Sequence, residues 1–342
     1  MWRLVQLLDR SVLRITGDAG SQLLQGLCTQ DMSILSTQKA TAAAFLSVKG
    51  RVLCDTIVVS DGDSIFIDCH RTVSQSLLKL LTRHKLRLPI SLEDVSTSHR
   101  VVAALPAAAQ SSLDATSVLP ATCKDAFFAD PRYAELGQRA VVPAGLVEEV
   151  AKDDGAYHLW RLCCAVPEGP SDLPVDTALP LNGNLDLLNF ISFKKGCYVG
   201  QELTARSKHV GTVRRRMYSV VAGDASLLAT LDADITKPLS LAEVVKDQGF
   251  LLQPGNVGTS KAEQAGVPVE ALEQGMESKP KVLGHMASAM HNIGLCTVRS
   301  DGALQSPDDF RKPLVASDAQ LTVGGLLVRV RPPPYAFLPM SE

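Results

Sequence analysis

The residues best suited to chemistry are concentrated in one stretch, "SFKKGCYVGQELTAR" at positions 192–206. Cys197 stands between Gly196 and Gly200, with Lys194 and Lys195 before it and Gln201 and Glu202 behind it. The thiolate is the form of cysteine that acts as nucleophile or metal ligand, and nearby ammonium groups favour it. Glycines let the backbone bend sharply or approach a ligand where a Cβ would obstruct, and Gln201 and Glu202 supply directional acceptors. Between 194 and 216 seven basic residues (Lys194, Lys195, Arg206, Lys208, Arg214, Arg215, Arg216) face one acid, Glu202, in a chain of formal net charge −2. Most charge runs are solvated faces. Here the charges bracket a cysteine, which favours a site over a structural turn.

Competing chemistries lack their residues. There is no G-x-x-x-x-G-K-[ST] loop, no G-x-G-x-x-G after a strand and no G-x-S-x-G elbow. "SDGDS" reads as a hairpin turn, since Asp61, Asp63 and Asp68 do not give the spacing of a calcium loop. His285 and His291 have no paired cysteines or histidines to complete a closed zinc set. The net charge argues against a general nucleic-acid binder, and no run reaches the roughly 18 apolar residues that a membrane span needs. The eight cysteines, at 28, 54, 69, 123, 163, 164, 197 and 296, form no C-x-x-C pair and no regular framework, which points to a reducing compartment.

The elements that must position the stretch can be read from periodicity. A length of 342 residues with 46% hydrophobic content predicts two or three domains with sizeable cores. "SVLRITG" alternates as a strand, and Asp18 is placed to cap a helix carrying Leu23, Leu24 and Leu27 on one face. "AAAFLSV", "RVLCDTIVV" and "SIFIDC" read as consecutive strands, and "TVSQSLLKLLTRHKLRL" as an amphipathic helix with Val73, Leu77, Leu80 and Leu81 inward. "HRVVAAL" and Arg139–Val142 return as strands, and Tyr157–Ala165 reads as a helix. "PEGPSDLP" reads as a loop, and "NLDLLNFI" as a short helix capped by Asn184. The order predicts an α+β sandwich with mainly antiparallel sheets. "MYSVV", "KVLGHM", "GLCTVR" and "LTVGGLLVRV" predict a small C-terminal β-barrel, interrupted by a polar, partly mobile insertion over 223–281.

"KKGCYVGQELTAR" resembles the K-G-C-[FY]-x-G-Q-E signature of the YgfZ-type family, relatives of the glycine-cleavage T-protein, an aminomethyltransferase; all eight positions from Lys195 to Glu202 agree. "SVLRITGDAGSQLLQGLCTQDM" is similar to the family's opening strand and helix with its L-Q-G-x-x-T-x-D segment. "LPLNGNLDLLNFISF" and "LGHMASAMHNIGLCTVR" resemble the lead-in to the signature and the closing barrel. Within the family the combination is similar to the mitochondrial iron–sulfur cluster assembly branch.

The resemblance implies the aminomethyltransferase folate-binding fold, three domains in a ring around a central funnel. A discontinuous first domain would take 1–46 and 135–215, an inserted α+β domain 47–134, and the barrel 216–342. It further implies a matrix protein, its targeting presequence absent from this chain, that helps mature 4Fe–4S proteins with an A-type iron–sulfur carrier. Cys197 would be the metal ligand, sharing a 2Fe–2S cluster with that carrier. Lys195, Gly196, Tyr198, Gly200, Gln201, Glu202 and Arg206 would be cofactor-binding, and tetrahydrofolate would occupy the funnel. Two departures stand out, the first weighing against an enzyme and the second against a charged pterin contact. "KGRVLCDTIV" offers a lone Asp55 after Cys54 where the T-protein has consecutive acids, and Asn182 stands where relatives carry a glutamate. The alternatives are a folate-dependent one-carbon transferase using Asp55, with the basic strip holding the folate tail, and a tRNA-modification factor binding RNA through "RRR".

Overall fold

A computed structural model describes residues 3–106, 125–148, 150, 152, 154–231, 234–240, 267–272, 281–300, 304, 306–310, 312, 314 and 320–338. The chain divides into two compact units. The first comprises Met1–Tyr157, Val175–Thr177 and Leu188–Leu203, and the second His158–Pro174, Ala178–Leu187 and Thr204–Glu342.

The first unit is built on two antiparallel sheets. β1 (Arg3–Gln6), β7 (His99–Leu105), β9 (Gln138–Pro143) and β8 (Phe128–Ala129) form one, in that order. The other has the order β3 (Ala40–Leu46), β4 (Val52–Asp61), β5 (Ser64–His70), β2 (Arg10–Thr16), β6 (Ser91–Asp94). The alternation read in the sequence follows from this packing. The inward residues Leu13, Ile15, Ala43, Phe45, Val58 and Ile67 share a core with Val73, Leu77 and Leu81 of helix α2 (Arg71–Lys85) and Leu23 and Leu24 of α1 (Gly20–Gln25). Leu80 packs only partly against that core. α2 starts where His70 Nδ1 accepts from Thr72 N at 3.3 Å and ends with Arg83, His84 and Lys85, where the helix dipole favours cations. Asp18 does not cap α1: the cap position is Ala19, without a side-chain bond. Asp31 serves instead, accepting from Ser33 N at 3.0 Å to start the single turn Met32–Ser36.

Beneath the two sheets runs a buried ionic network. Arg10 Nε donates to Asp68 Oδ1 at 2.6 Å, and Arg139 Nε donates to Asp68 Oδ2 at 2.7 Å. Arg139 and Arg132 both reach the Tyr157 hydroxyl at 2.8 Å, and Arg132 pairs with Asp130 at 2.7 Å. Desolvating charges this deeply is costly unless each is paired, and here three arginines interleave with Asp68, Asp130 and, 3.8 Å from Arg10, Asp55.

The second unit is dominated by a closed antiparallel barrel. Its order is β10 (Arg215–Ala222), β13 (Ile293–Arg299), β12 (Lys281–Met290), β11 (Pro268–Leu272), β14 (Gln320–Val323), β15 (Leu326–Arg331), and β15 pairs back to β10 through Ser219↔Arg331. Tyr218, Val220, Val269, Met286, Cys296, Val298, Val323 and Val328 fill its interior. Helices α3 (Gly155–Cys163), α4 (Gly169–Asp172), α5 (Gln201–His209) and α6 (Ala225–Thr230) complete the regular elements relevant to the site. Among the described residues no helix is long and apolar enough to cross a membrane.

Several expectations are corrected. "PEGPSDLP" contains the short α4, and "NLDLLNFI" is no helix, since residues 181–189 run as successive turns. Asn184 adopts φ +60, a left-handed conformation that asparagine tolerates. It donates to Met217 O at 2.8 Å and to the Tyr335 hydroxyl at 2.9 Å, so it serves the barrel's edge rather than a helix start. Within 223–281, α6 is capped by Asp224 and β11 is a barrel strand, while 232–233, 241–266 and 273–280 lie outside the described residues. Within the first unit the pairs β3–β4 and β1–β7 join strands from either side of position 46/47, and β7–β9 joins strands from either side of 134/135. Strand pairing joins segments regardless of their distance along the chain, which periodicity does not report.

Candidate functional site

The loop 192–200 carries Cys197 and is held from beneath by the segment Gly26–Gln30. Thr29 Oγ1 donates to Phe190 O at 2.5 Å and accepts from Ala44 N at 2.9 Å, and Gln30 Nε2 donates to Asn189 O at 2.6 Å. Ser192 N donates to Thr29 O at 3.0 Å and Val199 N to Gly26 O at 3.2 Å. The two motif segments therefore meet as one structure, although more than 150 residues separate Thr29 from Phe190.

Lys195 is the bolt of this arrangement. Its ammonium donates to Gln25 O at 2.7 Å, Cys28 O at 2.8 Å and Gln30 O at 2.8 Å. Three donors meet three acceptors, at the end of α1 where helix carbonyls lack partners. Partial burial lowers the Lys195 pKa, against smaller opposing effects of Cys28 and Asp31. The ammonium also lies 5.2 Å from the Tyr198 ring centroid, a cation–π distance. Lys195 faces the protein's own carbonyls, which come from a segment remote in sequence. Tyr198 is half-buried, and desolvation pushes its hydroxyl up to about 12.

Cys197 itself is exposed, whereas Cys28, Cys54, Cys69, Cys163, Cys164 and Cys296 are buried; Cys123 lies outside the described residues. Gln201, at the start of α5, accepts from Tyr198 N at 3.0 Å through Oε1 and places Nε2 3.9 Å from Cys197 Sγ. The side-chain amide thus folds the loop back and offers a donor to the sulfur. Lys194 is exposed, as are Glu202 and Arg206 along α5.

The two motif glycines differ. Gly200 has φ +80, and a Cβ there would lie 2.4 Å from Ser47 O and 3.2 Å from Gly50 Cα. Gly50, φ +72, would reciprocate with 3.0 Å to Gly200 O. This close approach locks the β3–β4 turn against the start of α5. Gly50 lies outside the motif, and its only sequence signal is its place in "KGR" between two strands. Gly196 has open space where a Cβ would be, so among the described residues nothing requires its smallness.

The basic strip does not act as a unit. Arg216 is buried, pairs with Asp186 through both guanidinium branches, and donates to Leu181 O at 2.7 Å. Lys208 approaches the same carboxylate at 3.4 Å. Burial pushes the Asp186 carboxyl up, but Arg216, with Lys208 behind it, outweighs burial and holds it below the usual carboxylate range. Only Arg214 and Arg215 of "RRR" are exposed. Asp55 is 3% exposed and pairs across β3–β4 with Ala44.

No protein-family model matches the chain. It is 32% identical over 319 residues to the "Iron-sulfur cluster assembly factor IBA57 homolog, mitochondrial" of Mycosarcoma maydis, covering 87% of this chain and 74% of that protein. It is 34% identical over 240 residues to "Iron-sulfur cluster assembly factor IBA57, mitochondrial" of Homo sapiens, covering 64% of this chain and 66% of the human protein. The solved structure of the glycine cleavage system aminomethyltransferase T from Bartonella henselae superposes with a TM-score of 0.63 at 11% identity, over 98% of this chain and 86% of that one. At that identity the likeness shows the fold, an aminomethyltransferase-like α+β architecture ending in a barrel.

Proposed function

The chain belongs to the family of mitochondrial iron–sulfur cluster assembly factors represented by IBA57, and on that premise we propose that it works through Cys197. The Cys197 thiolate supplies one ligand to a 2Fe–2S cluster whose remaining thiolates come from an A-type iron–sulfur carrier, and the pair matures 4Fe–4S proteins in the mitochondrial matrix. The cluster is cargo rather than a resident cofactor. The observation that carries this reading is the isolation of one thiol: among the described cysteines Cys197 alone is exposed. Iron–sulfur clusters of this kind take four thiolates, so this donor set fits a shared cluster and does not fit a private one. Lys194 adds an exposed cation beside the anionic cluster, and the space around Gly196 leaves room for a partner's backbone.

The folate-dependent transferase has less support. It needs an acid at the reacting centre, whereas the Asp55 carboxylate is buried 3.8 Å from Arg10. Tetrahydrofolate binding rests on the fold likeness alone, and an RNA-binding "RRR" strip is weakened by the inward course of Arg216.

The test is anaerobic reconstitution of the full chain with an A-type carrier, iron and sulfide. A co-eluting complex with visible thiolate-to-iron absorption is expected. Cys197→Ser should abolish the colour with an unchanged far-UV spectrum, and Cys54→Ser should retain it. A coloured complex formed by Cys197→Ser would refute the ligand role and shift support to the transferase.

A further inference from the structure

The barrel's outer face carries a feature that the cluster chemistry does not use. A cleft of about 330 Å³ is lined by Arg214, Lys281, Val282, Leu283, Arg299 and Ser300. All three long cationic side chains belong to exposed residues, and Val282 is an exposed apolar residue at 51%. Arg299 is also paired directly with Arg215 across β13 and β10. Inward positions on these strands are taken by Tyr218, Val220, Cys296 and Val298, so Arg215 and Arg299 share the solvent face.

Like charges directly opposite in an antiparallel pair are destabilising, and a third arginine, Arg214, sits one residue away. Ser300 N donates to Arg214 O at 3.0 Å, so the backbone pairing runs on past Arg215 and Arg299 and joins two of the lining residues. Among the described residues no carboxylate forms an ion pair with Arg214, Arg215 or Arg299. The contrast with Arg216 is informative. One residue along, the same residue type is fully paired with Asp186, so this chain supplies a counter-charge where the arginine is structural.

We propose that this cleft, lined also by Lys281, is a binding site for a small phosphorylated compound, with Arg214 and Arg299 receiving its phosphate groups. The planar guanidinium fork matches phosphate oxygens two at a time, and lysine adds a point charge. Two arginines, each a two-pronged donor, match two phosphate groups, which suits a diphosphate better than a single carboxylate. The volume falls at the small end of ligand pockets, and Val282 and Leu283 provide an apolar wall for an organic body. Bound anion relieves the Arg215–Arg299 repulsion, so occupancy stabilises the fold.

Calorimetric titration of the full chain at fixed ionic strength tests this, with inorganic pyrophosphate and adenosine diphosphate as separate probes. Saturable one-to-one binding of pyrophosphate is expected, with a thermal midpoint that rises with its concentration. Tighter binding of the nucleotide would place an organic body on Val282, and equal binding would mean that the diphosphate alone is recognised. Arg214→Gln and Arg299→Gln should each weaken binding tenfold or more. Without ligand, Arg299→Gln should melt no lower than the parent, because it removes a like-charge pair from an exposed face. Failure of both probes to saturate, or binding that both substitutions leave intact, would overturn the proposal. Neither result touches the Cys197 reading, which is scored by cluster colour.

Discussion

Lys195 and Cys197 stand two residues apart in the motif and have opposite fates. Lys195 spends its three donors on carbonyls of the α1 end, which makes it an anchor for the loop. Lys195→Met should therefore destabilise the protein by about 1–3 kcal/mol, the scale of lost hydrogen bonds to a charged group. Urea denaturation checks this, and a variant as stable as the parent would show that water replaces the anchor at no cost. Cys197 is exposed, while Cys54 and Cys69 are buried in the sheet core. Iodoacetamide under native conditions should modify Cys197 before Cys54, Cys69 or Cys163, as read by peptide mass mapping. Earlier modification of those buried thiols would contradict the burial.

At the scale of elements, the loop owes its position to the contact between the β3–β4 turn and the start of α5. Both glycines there have positive φ, and each occupies the space of the other's missing Cβ. Gly200→Ala must place a Cβ 2.4 Å from Ser47 O, a backbone atom that cannot swing away. The left-handed conformation adds about 1–2 kcal/mol for an L-residue, so a total loss above about 2 kcal/mol is expected. Gly196→Ala, immediately before Cys197, meets nothing within 4 Å among the described residues and should shift stability by less than about 0.5 kcal/mol. Chemical denaturation of the two variants side by side is the measurement. Equal effects would mean that the turn and α5 are not locked together. Gly196→Ala should still weaken cluster sharing if the open space admits the carrier.

At the scale of the molecule, each unit contains its own buried ionic assembly. The first has Arg10, Asp68 and Arg139, and the second has Asp186 with Arg216 and Lys208. The folded-state pKa of Asp186 lies below its ordinary value. The stability it contributes is thus fully present above the unfolded value of about 3.9 and is lost as pH falls through the folded one. Asp186→Asn leaves Arg216 without its counter-charge, which should cost about 3–5 kcal/mol at neutral pH. The same variant should show a shallower loss of stability below about pH 4. Urea midpoints measured from pH 3 to pH 7 check both, and an acid limb as steep as the parent's would show that Asp186 does not set it.

What the sequence determined by itself is what local spacing encodes. The two-residue spacing of Leu13 and Ile15 and the four-residue spacing of Val73, Leu77 and Leu81 report which face of each element meets their shared core. The eight consecutive positions from Lys195 to Glu202, with the opening, lead-in and closing segments that support them, carried family and fold class. Tertiary structure alone decided where each charge goes, since a charge is defined by its partner and the partners are remote. Asp68 binds Arg139 from 71 positions away, and Lys195 finds Gln25 O from 170. The run Arg214–Arg216 looked uniform, yet strand alternation sends Arg216 inward to Asp186 and leaves Arg215 facing Arg299 in solvent. A residue's type sets what it can bond. Only the fold, by bringing distant segments within about 3 Å, determines whether that capacity is used within the protein or left for a partner.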